Sequence, residues 1–368
     1  MRTKNYYIFK NKKIIVTGHT GFKGSWLCIY LTNLGAKVYG ISNNVPTKPS
    51  HFSDLNLKKR IHKSFFIDIR NKKKLTKVIK KIKPNFIFHL AAQAIVKKSF
   101  DDPTLTWQTN TIGTLNILES LRSLNTKKMI TAILITSDKV YKNIETKKAY
   151  NENDILGGLD PYGGSKSSAE IVIQSYVKSY FNKKDNKILI GVARAGNVIG
   201  GGDWSSKRLI PDCVRSWLIN KSATIRSPYS TRPWQHVLDV ISGYIDLAIF
   251  LTKNKKFHGH AFNFGPQSNK FFKVIDVLKI LKSYWPAAKW KVIKKKQFSE
   301  SVLLNLNSSK SRKYIGWRPI LTTKESLKLT IDWYKDYSFK NKNTYLNTLT
   351  QIISYKKKKL NNLKKRDR

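Results

Sequence analysis

An α/β fold, a doubly wound parallel sheet carrying a smaller C-terminal lobe, is predicted by three features of this chain. Six short apolar runs alternate with helix-like stretches before Gly200, the pattern that parallel strands joined by right-handed helical crossovers produce. Directly after the first run, Gly18, Gly21 and Gly24 fall at G-x-x-G-x-x-G spacing at the entry to a helix. Beyond Gly200 the alternation gives way to clusters of Gly, Pro, Arg and Trp broken by helices, which suits a lobe closing over the carboxyl ends of the strands. The expected division is residues 1–200 for the sheet domain and 201–354 for a substrate-binding lobe whose later pieces can return to the main sheet. Residues 355–368 read as a frayed basic tail.

Ile14, Ile15 and Val16 form the first buried strand, and Trp26, Leu27, Ile29, Tyr30, Leu31 and Leu34 give the following helix its apolar face. Glycine suits the turn between them because it allows positive φ and close approach of backbone, ligand and helix. The amides at such a helix start attract an anion, so residues 17–27 read as a dinucleotide pyrophosphate site and the sheet as a Rossmann fold. Further strands are expected at 36–41, 64–68, 85–90, 130–135 and 187–193. Helices are expected at 72–83, 110–124, 165–180, 209–219 and 237–251.

Composition excludes several classes. With 368 residues, 40% hydrophobic and 12% aromatic, the chain is globular and long enough for a core domain and a lobe. No apolar run approaches the roughly 20 residues that span a bilayer, and the basic N-terminus enters the first strand without an apolar segment. Neither a membrane span nor a secretory signal is expected, and the location is read as cytoplasmic. Cys28 and Cys213 lack metal-ligand spacing and read as buried reduced thiols, with no metal site. A formal net charge of +48 raises nucleic-acid binding as a class. The excess is mostly lysine spread along the chain among asparagines, with no recognised nucleic-acid module, so no specific nucleic acid is expected as a partner.

An acid about 20 residues beyond the glycine loop ordinarily holds the adenosine ribose. Ser42, Asn43 and Asn44 stand there instead, and no arginine is placed to hold a 2′-phosphate, so this point alone does not separate NAD from NADP. The missing acid predicts a dinucleotide held less tightly than a buried prosthetic group. Gly18, Thr20, Gly21, Phe22, Lys23 and Gly24 are the expected loop contacts. Asp68, with Ile69 beside it, can accept the adenine amino proton, and Leu90, Ala91, Ala92 and Gln93 can lie against the adenosine and the nicotinamide ribose.

Tyr162 and Lys166 stand four residues apart at a helix start, so both project from one face. A phenol with a pKa of about 10 is a poor base at neutral pH. A lysine ammonium and an oxidised nicotinamide stabilise its phenolate, and Lys166 can also bond the nicotinamide ribose. Alone the pair would read as surface residues; after a complete dinucleotide fold it reads as catalytic. Thr136, Ser137, Asp138, Lys139, Val140 and Tyr141 follow the fifth strand, beside the expected nicotinamide.

The glycine loop, the Leu-Ala-Ala-Gln stretch and the Tyr162/Lys166 pair together resemble the extended short-chain dehydrogenase/reductase family, over nearly the whole chain. In its sugar-nucleotide 4,6-dehydratases a hydroxyl, an acid and a base follow the fifth strand. Ser137 and Asp138 match the first two, whereas Lys139 replaces the glutamate of the dTDP- and GDP-sugar enzymes. That departure, with Gly18-His-Thr-Gly-Phe-Lys-Gly-Ser-Trp26, Ser137-Asp-Lys-Val-Tyr141, Gly196-Asn-Val-Ile-Gly-Gly-Gly-Asp-Trp204 and Arg232-Pro-Trp-Gln-His236, is similar to the CDP-glucose branch. The resemblance implies NAD as cofactor and CDP-D-glucose as substrate. It implies C4 oxidation with Tyr162 as base, elimination across C5 and C6, and return of the hydride to C6, giving CDP-4-keto-6-deoxy-D-glucose and water. Asp138 would protonate the leaving hydroxyl, and Lys139 would take the C5 proton once desolvation and the Lys166 cation lower its pKa by several units. Ser137, or the adjacent Thr136, would bond the C4 hydroxyl. A homodimer through helices 110–124 and 165–180 is also implied.

For the substrate diphosphate, Arg208, Arg226 and Arg232 are candidates by the fit of a guanidinium fork to phosphate, each open to a reading as a surface ion-pair partner. Asn197 can reach a phosphate or sugar oxygen, and Leu209, Ile210 and Pro211 can line the nucleotide pocket. Trp234 and His236 stand as candidates against a reading as lobe core. Other functions compete: another sugar-nucleotide enzyme, either a dehydratase of different specificity or a 4-epimerase, which needs neither Asp138 nor Lys139, and a noncatalytic basic scaffold or nucleic-acid binder, which has no use for the Tyr162/Lys166 pair.

Overall fold

The computed structural model describes residues 2–145, 148–266, 272–293, 304–338 and 343–364. Seven parallel strands form the main sheet: β1 (Lys13–Thr17), β2 (Lys37–Ser42), β3 (Lys63–Phe66), β4 (Phe86–His89), β5 (Ile130–Ile135), β6 (Ile188–Ala195) and β7 (Ala261–Phe264). Their order is β7-β6-β5-β4-β1-β2-β3. This is the Rossmann arrangement, with the order reversing between β1 and β4. The cleft at that switch point, beyond the carboxyl ends of the strands, is where such sheets bind ligands. Both faces of the sheet are covered, which is why β4, β5 and β6 are buried along their whole length and are mostly apolar.

The helices of ten residues or more are α1 (Phe22–Asn33), α2 (Lys72–Ile82), α3 (Gly113–Arg122), α4 (Pro161–Tyr176), α5 (Leu209–Leu218), α6 (Val237–Lys253), α7 (Val274–Tyr284), α8 (Thr323–Ser338) and α9 (Thr344–Lys364). Alternation along β1 divides the core: Ile14 and Val16 join the cluster containing α1, α6 and α8, while Ile15 joins the cluster of α2, α3 and α4. Cys28 and Cys213 are both buried and unpaired.

Local signals explain where the elements begin. α4 starts at Pro161, earlier than the expected residue 165, because Asp160 accepts from the Tyr162 and Gly163 amides at 2.9 and 3.0 Å and proline fits the first turn. Outside the main sheet, the described residues beyond β6 form short pairings: Val198–Ile199 with Gln235–His236, Thr231–Arg232 with Phe272–Lys273, and Ala223–Ile225 with Trp290–Val292. At β7 the chain re-enters the main sheet beside β6.

The frayed tail expected from residue 355 is a correction. The stretch is helical to Lys364, and residues 365–368 lie outside the described residues. Ile352, Tyr355 and Lys359 share one helical face and are buried. Tyr355 donates to the Asp239 carboxylate at 2.8 Å and Lys359 to Asp246 at 2.6 Å, which docks α9 on α6. Among the described residues no helix is long and apolar enough to cross a membrane.

Candidate active site

The glycine loop leaves β1 at Gly18, whose φ of +72° and tight surroundings admit no side chain: a Cβ there would lie 2.7 Å from the Ala91 nitrogen. At Gly24 a Cβ would lie 2.0 Å from the Gly18 carbonyl oxygen, so helix and loop touch directly. Gly21 differs, since an added Cβ would meet only the Gly18 oxygen, at 3.4 Å. Gly21 is also the N-cap of α1; it places no side-chain acceptor on the first amides, and the first turn carries no acid. The loop is closed toward the protein and open, uncapped and electropositive outward, which fits a dinucleotide pyrophosphate.

Other loop residues are committed within the protein. The Thr20 hydroxyl donates to the Asn44 carbonyl at 2.7 Å. The His19 ring bonds Ser42 at 2.8 Å and Ser64 at 2.7 Å, and burial lowers its pKa to about 4. Ser42, where an acid is missing, therefore braces the loop. Phe22 faces Gly200. Asp68 is held by Arg70 at 2.6 Å rather than standing open to an adenine, and Ile69 is buried beneath Gly113. Leu90, Ala91 and Ala92 are half-buried. The Gln93 side chain turns back to the Ile95 carbonyl and Thr106. Asn110 ties this stretch to α4, bonding the Gln93 backbone and the Ser165 hydroxyl at 2.9 Å.

The end of β5 brings the expected reacting groups together. Ser137 donates to Asp138 at 2.9 Å, and Lys139 Nζ contacts the same carboxylate oxygen at 3.2 Å. Asp138 is almost fully buried, whereas Lys139 keeps 30% of its side chain exposed. The Thr136 hydroxyl points the other way, donating to Glu170 at 2.6 Å. Of the two hydroxyls considered for the C4 hydroxyl, Ser137 is thus the one beside the acid. Lys166 Nζ donates to the Ile135 carbonyl at 3.3 Å.

The charge states follow from these neighbours. Burial pushes the Tyr162 phenol up, opposed by the Lys139 cation, a Ser137 hydrogen bond and the Arg208 charge. Burial and the Lys23 cation together bring Lys166 down to about 7 against the pull of Glu170. Burial and Arg208 lower Lys23 to about 8, with Asp138 and Asp203 opposing. Burial also acts to lower Lys139, but Asp138 and Tyr162 outweigh it, and its pKa is raised. The fall expected of Lys139 therefore does not occur in this state, because the nearest charge is a carboxylate rather than the Lys166 cation.

The substrate candidates divide. Arg208 pairs with buried Asp203 at 2.9 Å and bears on Tyr162 and Lys23. Arg232, half-buried and bonded to the Thr231 carbonyl at 2.8 Å, bears on Lys139. Asn197 accepts the Gln235 amide through its carbonyl, and Ile210 and Pro211 are buried behind Leu209 at the start of α5. Arg226 is exposed, with its charge acting on Asp212. Trp234 and His236 are buried. His236 is fully buried, caps α6 through the Leu238 amide, and is driven to a pKa of about 3 by burial. Glu170, Arg194 and Asp203 escaped the sequence reading. Only a carboxylate one turn beyond Lys166, an arginine inside an apolar strand and the aspartate of Gly-Gly-Gly-Asp-Trp hinted at them.

The family model described as GDP-mannose 4,6 dehydratase matches residues 15–330. The chain is 40% identical over 340 residues to the CDP-glucose 4,6-dehydratase of Salmonella typhimurium, covering 91% of this chain and 93% of that relative. Two solved structures share the fold. UDP-glucuronic acid 4-epimerase from Bacillus cereus, in complex with UDP-glucuronic acid and NAD, superposes with a TM-score of 0.75 at 25% identity over 88% of this chain and 99% of its own. dTDP-glucose 4,6-dehydratase from Bacillus anthracis, in complex with NAD, gives a TM-score of 0.72 at 23% identity over 92% and 99%.

Proposed function

The chain belongs to the GDP-mannose 4,6 dehydratase family, and we propose that it converts CDP-D-glucose to CDP-4-keto-6-deoxy-D-glucose and water. The observation that carries this reading is Asp138 and Lys139 in contact beside Ser137 at the end of β5, an acid and a base that a simple oxidation or epimerisation does not need. The cofactor is NAD, held by Gly18, Gly21, Gly24 and the first amides of α1, with Leu90, Ala91 and Ala92 along its length. When bound it supplies the acceptor for the C4 hydride and the donor that reduces C6.

Ser137 holds the C4 hydroxyl and Tyr162 removes its proton, with Lys166 stabilising the phenolate. Lys139 is charged in the resting site, yet one proton shift to Asp138 across their 3.2 Å contact makes a neutral acid and a neutral base at once. Closure over substrate favours that neutral pair by excluding water. Lys139 then takes the C5 proton, acidified by the C4 ketone, while Asp138 protonates the C6 hydroxyl, which leaves as water. The elimination restores the ion pair. Lys139 finally returns its proton to C5, and a shift from Tyr162 to Lys139 resets the site.

Arg208 and Arg232 bind the diphosphate, Asn197 a phosphate or sugar oxygen, and Leu209, Ile210 and Pro211 line the nucleotide. The sheet domain supplies the cofactor side and the segments beyond residue 201 the substrate side. The active form is a homodimer in the cytoplasm, joined through α3 and α4. Exposed Ile171 on α4 supports this, as do exposed Trp107, Ile112 and Tyr180, which flank the two helices. To test the reading, purified protein is incubated with NAD⁺ and separately with CDP-, dTDP-, GDP- and UDP-hexoses, and products are weighed by mass spectrometry. Loss of one water from CDP-glucose alone is expected; a mass-neutral product would replace this function with epimerisation, and no turnover would reject an enzyme.

A further inference from the structure

Behind the reacting residues lies an ion pair that the mechanism does not use. Glu170 on α4 and Arg194 on β6 are 1% and 2% exposed. Arg194 Nε donates to both Glu170 oxygens at 2.8 and 3.1 Å, and Nη2 donates at 2.5 Å. Each partner has one further contact, and both contacts lead to the same short segment. Glu170 accepts the Thr136 hydroxyl at 2.6 Å, and Arg194 Nη1 donates to the Tyr141 hydroxyl at 2.6 Å.

Thr136 and Tyr141 bracket Ser137, Asp138 and Lys139. Between them the chain makes a single tight turn, Asp138–Val140. Tyr141 is fixed further: it donates to Asn263 Oδ1 at 2.8 Å and stacks on Tyr150, with ring centroids 5.1 Å apart. Asn263 lies opposite Arg194 in the β7–β6 register, so the outer anchor is built on the sheet itself. Glu170 also stands one helical turn past Lys166 on α4 and acts on its charge. One buried carboxylate therefore touches the turn carrying the acid and base and belongs to the helix carrying Tyr162 and Lys166.

A buried ion pair is a weak source of stability, because desolvation of both charges offsets their attraction and an apolar pair of similar size often does as well. What it supplies is direction: a planar guanidinium and a carboxylate fix the angle of every bond they make. We infer that Glu170 and Arg194 are positioning residues that clamp the turn of Ser137, Asp138 and Lys139 at both ends and hold it in register with Tyr162 and Lys166. This rests on the dehydratase reading for its catalytic consequence, though not for its structural one.

The test uses the full-length protein. Thr136→Val keeps the shape and removes the hydroxyl, Thr136→Ser restores it, Tyr141→Phe keeps the stacked ring, and the double variant Glu170→Met with Arg194→Met removes both charges together. Hydrogen exchange is read first, without cofactor or substrate. Amides of 136–141 in Thr136→Val and in the double variant should exchange about tenfold faster than in wild type while β1 and β4 stay protected. For CDP-glucose dehydration, kcat should then fall about tenfold or more with KM changed less than about threefold, and Thr136→Ser should recover most of it. Should the double variant fail to fold, Thr136→Val and Tyr141→Phe decide. Unchanged exchange at 136–141 with unchanged kcat in folded variants overturns the clamp. Wild-type protein that dehydrates no CDP-sugar overturns the proposed reaction instead, and leaves the exchange result to judge the clamp alone.

Discussion

Gly196 defines the room left for the acid. A Cβ on it would lie 2.9 Å from Asp138 Oδ2, with Pro233 on its other side at 3.7 Å. Gly196→Ala should therefore push the carboxylate off Ser137 and Lys139, and a displacement of a few tenths of an ångström at a reacting group is enough for about a tenfold loss of kcat. Steady-state kinetics with CDP-glucose checks this, and an unchanged kcat would mean that Asp138 is not used where the structure holds it. At Lys139 the expected outcome is a separation of steps. Lys139→Met should still oxidise C4, seen as reduced nicotinamide, while releasing no water; loss of both steps would argue against a dedicated C5 base. Lys166 sets a pH limit. Its ammonium supports the phenolate and, with a pKa brought down to about 7 by burial and Lys23, loses its proton as pH rises. In the free enzyme kcat/KM should thus decline on the alkaline side from about pH 7. Lys166→Arg, which keeps its charge, should abolish that limb, and a limb that persists in the variant would assign it elsewhere.

Elements built on local pattern were legible in the sequence, and those built on long-range pairing were not. β1, β5 and the glycine loop announce themselves through an apolar run, a period and a spacing. Arg194 and Glu170 meet across 24 residues of chain, and nothing local says that an arginine in an apolar strand has a carboxylate waiting for it. The charge of Lys139 in the resting site was equally hidden, since it depends on where the Asp138 side chain points. α9 was misread because lysines dominate its composition, while its docking depends on three residues on one face. Asp239 makes that docking measurable. Its buried carboxylate accepts from Tyr355 and from the Ile320 amide at 2.9 Å. Tyr355→Phe removes one donor from a buried carboxylate, and should cost about 1–3 kcal/mol. Chemical denaturation checks the value, and a variant as stable as wild type would mean that α9 adds little to the fold.

Across the whole molecule, acid and charge act in the same direction. Burial holds four histidines well below their usual pKa of 6.5: His19 at about 4 and His51, His89 and His236 at about 3. Each is neutral when folded and takes up a proton when unfolded, so its stabilising contribution is complete above pH 6.5 and is lost as pH falls toward its folded value. Asp239 and Asp54 oppose this, since burial raises both to about 6 and the folded state gains on them between about pH 6 and their ordinary range. The loss therefore begins as pH falls through about 6.5 and continues below pH 6, where the four histidines outnumber the two opposing carboxylates, at up to about 1.4 kcal/mol per pH unit for each group. Folded domains hold only about 5–15 kcal/mol in all. Each new proton also joins a chain that already carries a formal +48, so self-repulsion in the compact state grows with acidification. Salt should counter the repulsion, since about 0.1 M shortens the screening length to about 10 Å, but it leaves the buried histidines largely untouched. The thermal midpoint is accordingly expected to fall between pH 7 and pH 5, and to rise with added sodium chloride at both. The fall with pH should persist in high salt, because burial rather than surface charge causes most of it. A midpoint that is flat across this range would mean that the four histidines are not held neutral, and a fall abolished by salt would assign it to the surface lysines alone.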